Sequence, residues 1–123
     1  MALRCLVVDD SARFRQSARA LLERQGVEVA VAATGAEAEQ RVDELRPDVV
    51  LVDIDLGAES GFDIARRLHR GGSTVSCGGR MRIILISTHA EKDYEDLIDA
   101  SPALGFLPKS SLSAGAIRGM LGG

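Results

Sequence analysis

Apolar residues along this chain fall into two alternating patterns. Short apolar runs, LRCLVV (3–8), VEVAV (27–31), DVVLVD (48–53), RIILIS (82–87) and LGFL (104–107), have the length and β-branched content of strands. Between them the apolar positions recur at helical spacing. Phe14, Ala18, Leu21 and Leu22 make one stripe, ended by Gly26 as a C-cap glycine. Thr34 and Glu37 form a capping box that opens a second helix, with Ala38, Val42 and Leu45 as its stripe and Pro47 as its stop. Ser60 caps a third helix carrying Ile64, Ala65 and Leu68. Tyr94, Leu97 and Ile98 predict a short fourth before Pro102, and Leu112, Ala116, Ile117, Met120 and Leu121 a fifth.

Strict alternation of five strand–helix units predicts an α/β fold, a parallel sheet with helices on both faces. The first, third and fourth runs are continuously apolar, as central strands buried on both sides must be. VEVAV alternates and LGFL is short, so both belong at the edges. Right-handed crossovers then favour a flavodoxin-like (βα)5 doubly wound sheet with strand order 2-1-3-4-5. One stretch breaks the rhythm. GGSTVSCGG (71–79), with four glycines, reads as a Gly-rich insert at about 71–80, remote from the strand C-termini. It is no phosphate cradle, because no Lys-Ser/Thr follows in P-loop order.

Composition sharpens this picture in a few places. A chain of 123 residues fits a single domain, and with three Phe and one Tyr its core must rest on Val, Leu, Ile and Ala. A net charge of −3 argues against direct nucleic-acid binding, which needs a basic surface. No apolar run reaches membrane-spanning length, and MALRCLVV is too short for a signal h-region. The expectation is a soluble, cytoplasmic domain with no membrane partner. Cys5 lies in an apolar run and Cys77 in a Gly-rich one, which does not suggest a disulfide framework.

Ligands of open parallel sheets collect at the strand C-termini. There the first strand delivers Asp9 and Asp10, the third Asp53, the fourth Ser87 and the fifth Lys109. Three carboxylates gathered about 4–5 Å apart repel by roughly 3–4 kcal/mol per pair at an effective dielectric near 20. Either some protonate or a cation balances them. Carboxylate oxygens with a backbone carbonyl and waters suit Mg²⁺ (or Mn²⁺). A carboxylate nucleophile, a hard cation, an ammonium and a hydroxyl are together the parts of aspartyl phosphorylation. Singly, each residue has a plainer reading: Asp10 or Ser11 as a helix N-cap, Lys109 as surface, Phe106 as core. Their convergence on one rim carries the argument.

CLVVDDSARFR, VVLVDIDLGAESG, IILISTHA and GFLPKS, in that order and over nearly the whole chain, resemble the receiver domain of two-component response regulators. The resemblance implies that Asp53 is the phosphoacceptor, taking its phosphoryl group from a sensor histidine kinase or a histidine phosphotransfer protein. It implies Mg²⁺ ligation by Asp10, Asp53 and the backbone carbonyl of Asp55, with Asp9 assisting through water. Ser87 and Lys109 would bind the phosphoryl group, and Ser87 with Phe106 would form a two-state switch that alters protein contacts. Such a domain is a signalling element that catalyses only its own phosphorylation and dephosphorylation. Gly57 departs from the proline usual in the family, and Asp55 and His89 stand at positions that influence phosphoryl lifetime, so they are expected to tune that rate.

Charge is uneven along the chain. Arg13, Arg15, Arg19 and Arg24 lie on the first helix, whereas Glu91, Asp93, Glu95, Asp96 and Asp99 cluster late. The family places kinase docking near the first helix and output through the fourth helix, fifth strand and fifth helix. The Gly115-x-x-x-Gly119 spacing reads first as a weak helix and only in second place as a seam for a homodimer. With the sequence ending two residues after Leu121, the expectation is either a stand-alone receiver acting on a downstream protein target or one cut from an output domain.

Two rival readings share residues with this one. VVLVDIDLG also resembles the first motif of haloacid-dehalogenase-type phosphohydrolases, with Asp53 as nucleophile and Asp55 as general acid. That enzyme needs a later acidic motif, and SSLSAGAIRGMLGG contains no carboxylate. The second rival is a pseudo-receiver that keeps the fold as an interaction scaffold, against which the intact acidic pair, acceptor, hydroxyl and lysine all argue.

Overall fold

A computed structural model describes residues 3–56, 59–75, 82–88, 95–101 and 103–121. In chain order the main elements are β1 (Arg4–Val8), α1 (Ala12–Arg24), β2 (Glu28–Ala32), α2 (Gly35–Leu45), β3 (Val49–Asp53), α3 (Gly61–Val75), β4 (Arg82–Ser87), α4 (Glu95–Ala100), β5 (Gly105–Pro108) and α5 (Ala114–Met120). The strands pair in parallel in the order β2-β1-β3-β4-β5, so the flavodoxin-like order holds and β2 and β5 are the edges.

Alternation along each strand divides the interior in two. Cys5, Val7, Val49, Leu51, Ile84, Ile86 and Leu107 face α1 and α5, where Ala18, Leu22, Ala114 and Ile117 meet them. Leu6, Val8, Val50, Val52, Ile83, Leu85 and Phe106 face the other way, onto Ala38 of α2, Ile64, Ala65 and Leu68 of α3, and Ile98 of α4. Each buried Val, Leu, Ile or Phe among them contributes about 1.5–3 kcal/mol by leaving water. Cys5 is one of these core residues; burial pushes its thiol up to about 12, which leaves it protonated and inert.

Helix ends follow the predicted signals. Gly26 takes φ +86° after α1, with Val27 N–H donating to the Leu22 carbonyl and Gly26 N–H to the Glu23 carbonyl, a Schellman closure. Val27 is thereby spent on the helix end, so β2 starts at Glu28 and not at the first apolar residue. Thr34 Oγ1 accepts from Glu37 N–H at 3.1 Å, while Glu37 Oε1 reaches back to Ala33 N–H at 2.7 Å. Ser60 Oγ accepts from Phe62 N–H at 3.2 Å at the start of α3.

Two local features differ from the apolar pattern. α3 continues through Gly71 and Gly72 to Val75, so the first residues of the Gly-rich stretch are helical. Extending an established helix is far easier than nucleating one, and each glycine costs only about 1 kcal/mol relative to alanine. Residues 76–81 and Tyr94 lie outside the described residues. After β3, Asp55–Leu56 and Glu59–Ser60 form a two-residue antiparallel ladder, too short to leave an alternation signal.

Candidate functional site

The strand registers build the site. Val8 pairs with Val52, so Asp9 and Asp53 each stand one residue beyond a matched position on adjacent strands. Continuing the 5, 7, 9 and 49, 51, 53 alternations puts both carboxylates on the α1/α5 side of the sheet. Lys109 follows β5 at the head of a 3₁₀ turn, Lys109–Ser111, and reaches back across the rim. Its Nζ lies 2.5 Å from Asp9 Oδ2 and 3.3 Å from Asp53 Oδ2. Asp9 is fully buried, Asp53 is 5% exposed and Asp10 is open to solvent.

Each carboxylate is held by the turn that follows it. Asp9 Oδ1 accepts from Ser11 N–H at 2.8 Å, and Ser11 in turn caps α1 through Phe14 N–H at 3.3 Å. Asp53 Oδ1 accepts from Asp55 N–H at 3.3 Å. Gly61 is required beside it, because a Cβ there would run into the Asp53 backbone carbonyl and Ile54. The Gly61 N–H instead donates to the Ile54 carbonyl at 2.8 Å, folding the connection to α3 back against the acceptor strand.

Burial and then the Asp9 carboxylate push the Asp53 carboxyl up to about 6, against a weaker downward pull from Lys109 and the Asp55 N–H. One ammonium facing three carboxylates leaves negative charge unbalanced. Asp9, Asp10 and Asp53 each offer an oxygen, and those oxygens lie within 4.8 Å of one another. Asp9 Oδ2 is buried and, among the described residues, accepts no hydrogen bond of good geometry and meets only the Lys109 charge. An all-oxygen donor set with an underused buried oxygen fits a hard divalent cation.

Ser87 and Phe106 belong to the other side of the sheet. Leu85 pairs with Phe106, and Ser87 continues the 83, 85, 87 alternation. Ser87 is 2% exposed, and the Phe106 ring is turned inward at 8%. Of the remaining predicted positions, Asp55 is exposed beside the acceptor, whereas Gly57 and His89 lie outside the described residues.

Two side chains at the site were not singled out from the sequence. Phe14 places its ring 4.3 Å from Lys109 Nζ, measured to the centroid. Its position in the apolar stripe of α1 reads as core, and no local spacing ties it to Lys109. Arg15 looked like part of a basic face, yet its Nη1 donates to the Asp9 carbonyl at 2.6 Å. Arg19 likewise pairs with Glu23 at 3.2 Å, leaving Arg13 and Arg24 as the exposed arginines of α1 without an ion pair among the described residues.

The response regulator receiver domain family matches residues 5–118. The chain belongs to that family. Among curated relatives, this receiver is 39% identical over 108 residues to the nitrate/nitrite response regulator protein NarP of Escherichia coli, covering 86% of the chain and 47% of NarP. It is 33% identical over 113 residues to a protein-glutamate methylesterase/protein-glutamine glutaminase of Alkalilimnicola ehrlichii, covering 89% of the chain and 27% of that protein. The chain thus spans less than half the length of either. Among solved structures, the chemotaxis protein CheY4 of Vibrio cholerae superposes with a TM-score of 0.81 at 24% identity, covering 98% of both chains. Family membership sets aside the phosphohydrolase reading of VVLVDIDLG. No helix among the described residues of the receiver is long and apolar enough to cross a membrane.

Proposed function

We propose that this receiver is a phosphoacceptor switch in which Asp53 takes a phosphoryl group from a phosphohistidine of a sensor kinase or phosphotransfer protein. The observation that carries the reading is the Lys109 ammonium, held within 3.3 Å of both the Asp9 and Asp53 carboxylates at the strand C-termini. An Asp53 carboxylate oxygen attacks phosphorus; the new O–P bond forms as the P–N bond breaks, and its electron pair returns to the imidazole nitrogen. Asp9, Asp10 and Asp53, with the backbone carbonyl of Asp55, would hold Mg²⁺. When bound, the cation offsets the charge of these carboxylates and of the phosphoryl oxygens.

Lys109 releases a carboxylate and takes a phosphoryl oxygen, keeping one ion pair throughout. Ser87 donates its hydroxyl to another phosphoryl oxygen. Because Ser87 and Phe106 share a side of the sheet, movement of the first changes the space available to the second. An inward ring is already compatible with this backbone, so the switch is a shift between two packings of Phe106. A preference of a few kcal/mol for one packing redistributes the population substantially. Asp55, exposed beside Asp53, suits a role in setting how fast water removes the phosphoryl group, and His89 is assigned the same role.

Incubation with Mg²⁺ and acetyl phosphate tests the reading by intact-protein mass. Gain of one phosphoryl group, absent in Asp53→Asn, is expected. No adduct on the native chain would favour the scaffold, and steady turnover of a phosphate ester would revive the phosphohydrolase.

A further inference from the structure

We infer that Phe14 is a positioning residue for Lys109, its ring face fixing where the ammonium sits and closing one side of the pocket to water. The inference rests on the phosphoacceptor reading. Lysine is a point charge on a flexible four-carbon stem, strongly hydrated and with no geometric preference of its own. Asp9 and Asp53 attract Nζ from the strand side at 2.5 and 3.3 Å. They do not define how far it leans toward solvent. The Phe14 ring does, since its π face carries negative potential and lies 4.3 Å from the same nitrogen. Lys109 is left only 14% exposed along its side chain.

The ring is well anchored for this task. Phe14 N–H donates to Ser11 Oγ, Ser11 N–H donates to Asp9 Oδ1, and Arg15 of the same turn donates to the Asp9 carbonyl. One turn therefore fixes a carboxylate and the aromatic face that both hold Lys109. Below, Phe14 packs on the buried core between the sheet and α1/α5. A π face has a further property that a third hydrogen-bond acceptor would lack. Its attraction is broad, so the ammonium can slide from a carboxylate oxygen to a phosphoryl oxygen without breaking a directional bond.

The test separates the ring's charge distribution from its bulk. Phe14→Leu keeps the apolar packing and removes the π face; Phe14→Tyr keeps both. In side-chain NMR of the unphosphorylated protein, the Lys109 ε-methylene should be shifted upfield by the ring current in the native chain and in Phe14→Tyr, but not in Phe14→Leu. With Mg²⁺ and acetyl phosphate, Phe14→Leu should be phosphorylated about 3- to 30-fold more slowly, with Phe14→Tyr near the native rate. Phosphorylation of Phe14→Leu at the native rate, a Phe14→Tyr variant as slow as Phe14→Leu, or no upfield shift in the native protein would each overturn the inference. Failure of the underlying reading looks different, with no adduct on any variant, the native chain included.

Discussion

The side chain of Gln25, at the end of α1, accepts a 2.6 Å hydrogen bond from the backbone N–H of Ala114, the first residue of α5. α5 has only seven residues, and its first-turn N–H groups have no partner within the helix. Ser113 satisfies one of them through Ala116 N–H, and Gln25 satisfies another. The bond also fixes the far end of the segment that carries Lys109. Gln25→Ala should lower stability by about 1 kcal/mol, read as a smaller urea midpoint with unchanged slope. Gln25→Glu should recover most of that loss, since a carboxylate at a helix N-terminus accepts the same bond and favours the dipole.

Asp53 is held in a place that opposes its own ionisation. Its folded-state value of about 6 lies above the ordinary 3.8, so the folded protein binds this proton more tightly than the unfolded chain does. The resulting cost is absent below pH 3.8, builds as pH rises from there to 6, and is constant above. At full size it is on the order of 3 kcal/mol. Without divalent cation, Asp53→Asn should therefore be more stable than the native chain by roughly 1–3 kcal/mol at pH 7.5. At pH 4.5 the gain should shrink to about a third of that value. Denaturation curves at the two pH values decide the matter, and a gain that grows on acidification would refute it.

Asp10 differs from Asp9 in being exposed, so it can be removed without leaving a buried charge unpaired. Asp10→Asn should change stability without cation by less than about 0.5 kcal/mol. Its affinity for Mg²⁺ should fall about tenfold or more, measured by calorimetric titration. Asp9→Asn is a harsher change, because it takes from Lys109 its nearest carboxylate.

Gly61 meets the acceptor strand so closely that even one added carbon must displace it. Gly61→Ala should destabilise the protein by about 1–3 kcal/mol, because the neighbouring atoms are backbone and cannot rotate away. Since the Asp53 carbonyl is what it strikes, phosphorylation should slow beyond what the stability loss explains. Comparing phosphorylation rates at equal folded fraction is the measurement.

The sheet was legible because central parallel strands have no solvent-facing side. VVLV and IILI are apolar throughout for that reason, and their order followed from chain connectivity. The rim was legible too, since Asp9, Asp53 and Lys109 extend strands whose ends could be read. What escaped was contact between elements remote in sequence. Phe14 fits the stripe of α1 whether or not Lys109 lies above it, and Gln25 carries no sign of Ala114. Arg15 was counted with Arg13 and Arg19 because helical spacing reveals a side chain's direction but not its partner. The start of the Gly-rich stretch failed for another reason. Glycine lowers helix propensity without forbidding helix, and the turns preceding Gly71 were already formed.

Because the sheet separates the α1/α5 layer from the α2/α3/α4 layer, either can drift in sequence without repacking the other. The two layers have a common boundary where Ser87 follows Ile86, the register partner of Asp53. Packing on the two sides of the sheet is thus free to change independently, provided that narrow seam stays intact.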